Sequence, residues 1–133
     1  MTITRRTAVR SIAALAALPL AGHAAADKQD SSAMYGLIGK MRAQPGQREA
    51  LIAILLEGTA AMPGCLSYVI ARDKTDPDAL WITEAWDSQA SHKASLALPQ
   101  VQAAIARGRP LIAGFGERFE TEPVGGQGLA APR

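Results

Sequence analysis

Two tryptophans bracket a carboxylate in the run Trp81-Ile82-Thr83-Glu84-Ala85-Trp86, the first place in this sequence where chemistry could be done. A carboxylate among large apolar neighbours loses solvation, which raises its proton affinity toward the range useful to a general base. Glu84 therefore has two readings: a base that takes a proton from a bound molecule, or half of a structural ion pair with Arg42 or Arg118. Tyr35, Tyr68, Trp81 and Trp86 offer flat walls for an aromatic ligand, and the tyrosine hydroxyls can donate to a phenolate oxygen. Core packing is the other reading of Tyr68 and Trp86, because strand aromatics commonly serve there. Ser95 is the remaining polar candidate. With Ala90, Ala94, Ala97 and Leu98 taken as the buried face of a helix, Ser91 and Ser95 flank that face and His92 falls opposite it beside Lys93. The expectation is an exposed His92 outside the site, with Glu84 and Ser95 as the catalytic pair.

Other chemistries find little support. Cys65 is the single cysteine, so no intrachain disulfide can form. One cysteine and one histidine beyond the N-terminal leader, far apart in sequence, do not make a metal site or a nucleophile pair, and no metal is expected.

The leader is read from Arg5-Arg6 ahead of the apolar run Ile12–Ala21, followed by Ala24-Ala25-Ala26. The run is too short to span a bilayer, and the small residues suit a signal peptidase, so residues 1–26 are expected to be a removable signal of the twin-arginine type. Cleavage before Asp27 would leave no stable membrane anchor and a periplasmic or secreted protein. The chain carries 14 Lys+Arg and 12 Asp+Glu, and the leader holds three of the arginines, so the remaining 107 residues have 11 basic groups against 12 acidic, net −1. Nothing basic remains to hold a nucleic acid.

Residues 27–33 read as a flexible lead-in, and residues 123–133, rich in glycine, as a flexible tail. Between them residues 34–122 form one domain. A strand over Met34–Arg42 is closed by Pro45-Gly46, and a helix follows with Leu51, Ile52, Ile54, Leu55 and Met62 on its apolar face. Strands Cys65–Arg72 and Leu80–Trp86 make a hairpin. A helix capped at Asp87-Ser88 runs with a kink or restart at Pro99 to about Leu111, and Phe115–Glu122 is the last strand. The order strand-helix-strand-strand-helix-strand is an α+β, ferredoxin-like arrangement with an antiparallel sheet. Large apolar residues on both faces of the third strand require cover on both sides. The helices supply one cover, and a second copy of the chain in a homodimer is the expected other.

Three stretches carry a resemblance: Arg42-Ala43-Gln44-Pro45-Gly46-Gln47, Met62-Pro63-Gly64-Cys65-Leu66-Ser67-Tyr68, and Trp81-Ile82-Thr83-Glu84-Ala85-Trp86-Asp87-Ser88. In this order and spacing they resemble the antibiotic biosynthesis monooxygenase domain family, whose members are small dimeric α/β barrels. The resemblance implies oxidation of a small aromatic quinol or phenol by molecular oxygen, with no flavin, haem or metal cofactor. Relatives often place a histidine where this chain has Ser95, and Ser-Pro-His where it has Leu98-Pro99-Gln100. The haem-degrading branch of the fold is excluded, because its asparagine, tryptophan and histidine correspond to Gly39, Ser95 and Ile105. Two functions are carried forward: a cofactor-independent monooxygenase, and a non-catalytic periplasmic module that binds a flat aromatic or reactive small molecule.

Overall fold

A computed structural model of the chain describes residues 33–129. The leader and its cleavage site lie outside the described residues. Strand β1 (Tyr35–Ala43) is followed by helix α1 (Arg48–Gly58), strands β2 (Cys65–Arg72) and β3 (Ala79–Trp86), and helices α2 (Gln89–Ser95) and α3 (Pro99–Gly108). A single 3-10 turn, Arg109–Leu111, then leads into strand β4 (Ile112–Thr121). The strands form one open antiparallel sheet in the order β2-β3-β1-β4, the α+β ferredoxin-like architecture expected. Among the described residues no helix is long and apolar enough to cross a membrane.

The second helical region is two helices. Leu98 is extended, at φ −65° and ψ 136°, because the ring of Pro99 disfavours helical backbone in the residue before it. Pro99 then starts α3, where its missing N–H costs nothing. Separating α2 from α3 frees the short α2 to take its own orientation on the sheet.

Ala43, Leu51, Leu80 and Ile82 form the buried centre, with Met41, Ile52, Leu55 and Ile70 packed around it. Alternation along β1 and β3 sends Leu37, Met41, Leu80, Ile82, Glu84 and Trp86 to the helix-covered face. Helix α1 ends at Gly58 against α3, where a Cβ would lie 2.4 Å from that of Ala104. Arg48 fastens α1 to the β2–β3 turn by donating from Nη1 to the carbonyls of Asp73, Asp76 and Ala79 at 3.2, 3.0 and 3.3 Å.

Two of the sheet's three register shifts adjust what it presents at the site. Met41 faces Phe115, yet Gly39 faces Arg118 instead of Glu117, so β4 carries an extra residue opposite Lys40. The bulge re-aims the strand and brings Arg118 to the helix side. A second one at Leu66 keeps Cys65 opposite Trp86. On the uncovered face Val69 and Phe119 are 52% and 54% exposed. Pro123, just past β4, closes over Gly36 on that face, where a Cβ would stand 3.0 Å from its ring.

Candidate functional site

The site grows from one register. Glu84 on β3 lies between Leu37 of β1 and Tyr68 of β2, and Trp86 lies beside Tyr35, all on the helix side of the sheet. Trp86 is fully buried, and its indole Nε1 donates to Glu84 Oε2 at 2.8 Å. His92 descends from α2 onto the same carboxylate, with Nε2 3.7 Å from Glu84 Oε2. Its ring meets Trp86 edge-on at 5.4 Å between centroids and lies tilted against Tyr35 at 5.3 Å. The side chains of His92 and Glu84 are only 17% and 13% exposed.

Helix α2 is seated by local contacts. Ser88 accepts from the Ser91 N–H at 3.1 Å, a side-chain cap of the first turn. Gly64 adopts φ +82° and comes so close that a Cβ there would sit 2.5 Å from Ser91 Oγ. Its carbonyl accepts from the Asp87 N–H at 2.9 Å. These contacts turn Ser91, His92 and Ser95 toward the sheet and leave Ala90, Ala94 and Ala97 exposed. The expectation of an exposed His92 is thereby corrected. Alanine methyls bury too little area to orient a helix of 7 residues against a cap, a glycine seat and an aromatic stack.

Glu84 and His92 open onto a cleft of about 410 Å³ between the sheet and α2, walled by Leu37, Met41, Ile82, Leu96 and Phe115, with Arg118 at its polar end. Burial raises the Glu84 carboxyl above the ordinary glutamate value, against the opposing pull of the Trp86 hydrogen bond, His92 and Arg118. Burial, then the nearby Glu84 charge, pushes the Tyr68 hydroxyl far up and the Cys65 thiol up. Both stay protonated at neutral pH, so Glu84 and His92 are the groups at hand to accept a proton.

Of the six residues expected to act, only Glu84 lines this cleft. Trp86 stands behind it and holds its carboxylate. Tyr35 packs on His92 and donates its hydroxyl to Glu120 at 2.7 Å. Tyr68, though beside Glu84, lines a separate depression with Met62 and Cys65. Ser95 is buried and donates to the carbonyl of His92 at 2.6 Å, so its hydroxyl is committed to its own helix. Trp81 is on the opposite face, donating to Asp73 at 2.8 Å with Lys40 over its ring. The ion-pair reading of Glu84 changes partner: Arg42 pairs with Asp76 at 2.9 Å and Arg118 with Glu120 at 3.5 Å, leaving His92 to Glu84. The signal for His92 was its size, as the one aromatic ring on a helix otherwise made of small and flexible side chains. Among the described residues no three His, Cys, Asp or Glu side chains gather as a metal site would require.

An antiparallel four-stranded sheet with two helical connections, and a buried carboxylate–imidazole pair over it, define a class of small α+β domain. Residues 34–107 match the family model of antibiotic biosynthesis monooxygenases, and the chain belongs to that family. It is similar to the crystal structure of a candidate antibiotic biosynthesis monooxygenase from Chloroflexus aurantiacus J-10-fl, with 72% identity, a TM-score of 0.71, and coverage of 73% of this chain and 99% of that one. A candidate member from Caulobacter crescentus CB15 shares the fold at 23% identity and a TM-score of 0.65, covering 74% of this chain and 97% of that one. A protein of unknown function from Nitrosomonas europaea does so at 20% identity and a TM-score of 0.60, covering 77% and 99%. No curated protein matches the chain significantly.

Proposed function

We propose that the protein is a cofactor-independent monooxygenase that oxidises a small aromatic quinol or phenol with molecular oxygen. The observation that carries this reading is the Glu84–His92 pair on the wall of a cleft whose other side chains are apolar at Leu37, Met41, Ile82, Leu96 and Phe115 and charged at Lys40, Glu117 and Arg118. His92 takes the phenolic proton, and Glu84 holds the ring in place and stabilises the imidazolium formed. The phenolate passes one electron to oxygen, giving a phenoxyl radical and superoxide. These combine at a ring carbon to form a peroxide that takes the proton back from the His92 imidazolium, and the resulting hydroperoxide loses that carbon's hydrogen with its terminal hydroxyl as water to leave a carbonyl. A phenol and O₂ thus become a quinone and water. Arg118, at the polar end of the cleft, offers positive charge to the phenolate or superoxide. The apolar walls exclude water from the radical pair.

The same proposal includes a homodimer, joined through the sheet face that exposes Val69 and Phe119, and a place outside the cytoplasm reached through the leader. Oxygen uptake by the protein beginning at Asp27, against a panel of quinols and phenols with metal chelator present, tests the activity. Substrate-dependent uptake with quinone formation is the expected result. Tight binding of the same compounds without uptake would instead favour the non-catalytic binding module.

A further inference from the structure

A second cavity continues the cleft. It has a volume of about 500 Å³ and runs between β4 and the helices α1 and α3, lined by Leu51, Leu55, Ala104, Ile105 and Ile112. Met41 and Phe115 line both spaces, so the two share a wall and a boundary. Their chemistry differs. The first holds Glu84, His92 and Arg118, whereas Arg109 is the single charged residue lining the second among the described residues. Phe115 at the junction is 75% exposed and Ile105 is 38% exposed, an apolar surface that water covers poorly.

We infer that the second cavity receives an apolar substituent of the substrate, so that the preferred substrate is an alkyl- or prenyl-substituted quinol whose hydroxylated ring lies at Glu84 and His92. This rests on the proposed oxidation for the ring's place and extends it to the rest of the molecule. A hydroxyl finds carboxylate, imidazole and guanidinium partners in the first cleft, and a hydrocarbon chain finds an almost wholly apolar lining in the second. A substituent leaving the ring beside Met41 or Phe115 therefore passes directly from one into the other. The competing occupant is a second copy of the chain laid over the same apolar surface.

A series of quinols that differ only in the length of one alkyl substituent tests the inference, read by turnover and, independently, by calorimetric binding of the matching alkylphenols. Both kcat/KM and affinity should rise with length, by up to about fourfold per buried methylene, until the groove is full. Ile105→Asn places an amide on the exposed groove wall and should flatten the dependence, which is read as the ratio of long-chain to short-chain kcat/KM. Affinity that rises with chain length while no compound is turned over would keep the groove and overturn the oxidation. Turnover or binding indifferent to chain length would overturn the groove and keep the oxidation. Indifference to length, with Ile105→Asn lowering the mass seen by light scattering, would assign the surface to a second copy of the chain. Failure of the whole series to bind or react would overturn both.

Discussion

Glu84 owes its properties to what surrounds it. The Trp86 indole donates to the oxygen that faces His92, so one atom is both anchored and presented. Trp86→Phe keeps the ring and removes the donor. It should raise the proton affinity of Glu84 further and move the acidic limb of the pH–rate profile upward, while the fold loses on the order of 1–3 kcal/mol for a hydrogen bond to a charged group. Burial already lifts the folded-state value above the usual glutamate 4.5, so the folded protein holds a proton that the unfolded chain has released. The contribution of Glu84 to stability therefore falls as pH rises above 4.5. Glu84→Gln abolishes that dependence, and its urea midpoint relative to wild type should improve as pH rises above 4.5. A difference independent of pH would mean that Glu84 is not buried as a charge. The sequence made this carboxylate legible, since few acids stand between two tryptophans on a strand. It could not show that Trp86 would be its anchor, because the bond joins residues on the same strand face through a rotamer choice.

At the scale of elements, helix α2 carries the site's geometry, and the β2–β3 turn holds together the hairpin that supplies Glu84. Asp73 accepts from the N–H groups of Thr75 and Asp76 and from the Trp81 indole, and these bonds hold its carboxyl well below the usual range. Its contribution is present above the unfolded value of 3.8 and is lost as pH falls below it. Asp73→Asn should shift the acid-unfolding midpoint to higher pH, as measured by circular dichroism. Helix α2 depends on Gly64, whose φ of +82° and contact with Ser91 leave no room for a side chain. Gly64→Ala should cost about 2 kcal/mol from the left-handed backbone alone, read from denaturant unfolding. It should also lower turnover by tilting His92 away from Glu84, though position 64 touches no substrate. The Pro-Gly breaks, the hairpin and the order of elements could be read from the sequence, because turn residues and alternation act locally. The face that α2 buries could not, because its alanines carry almost no orienting energy. Nor could the bulge that delivers Arg118, since nothing in Phe115-Gly116-Glu117-Arg118 distinguishes an extra residue from a regular strand.

For the molecule as a whole, both faces of the sheet were expected to need cover, and the helices bury one while Val69 and Phe119 stay exposed on the other. If a second copy covers them, light scattering should give twice the chain mass, with roughly 1,000 Å² or more buried in total. Phe119→Lys should shift the protein toward monomer without unfolding it. A stable monomer at micromolar concentration would remove the dimer from the proposal and leave those side chains without a partner. The fold was legible because three short stretches in fixed order identify the family, whereas the site was legible only in part, because family position pointed to Ser95. The imidazole instead stands at position 92, where the seating of α2 on Gly64 brings it over the sheet.

The most direct measurement compares quinol-dependent oxygen uptake by wild type and by His92→Ala, with folding of both checked by circular dichroism. Wild type should take up oxygen, and the variant should lose about 10²–10⁴-fold of that rate, the size expected for removing a general base. Equal turnover by the two proteins would contradict a general base at His92.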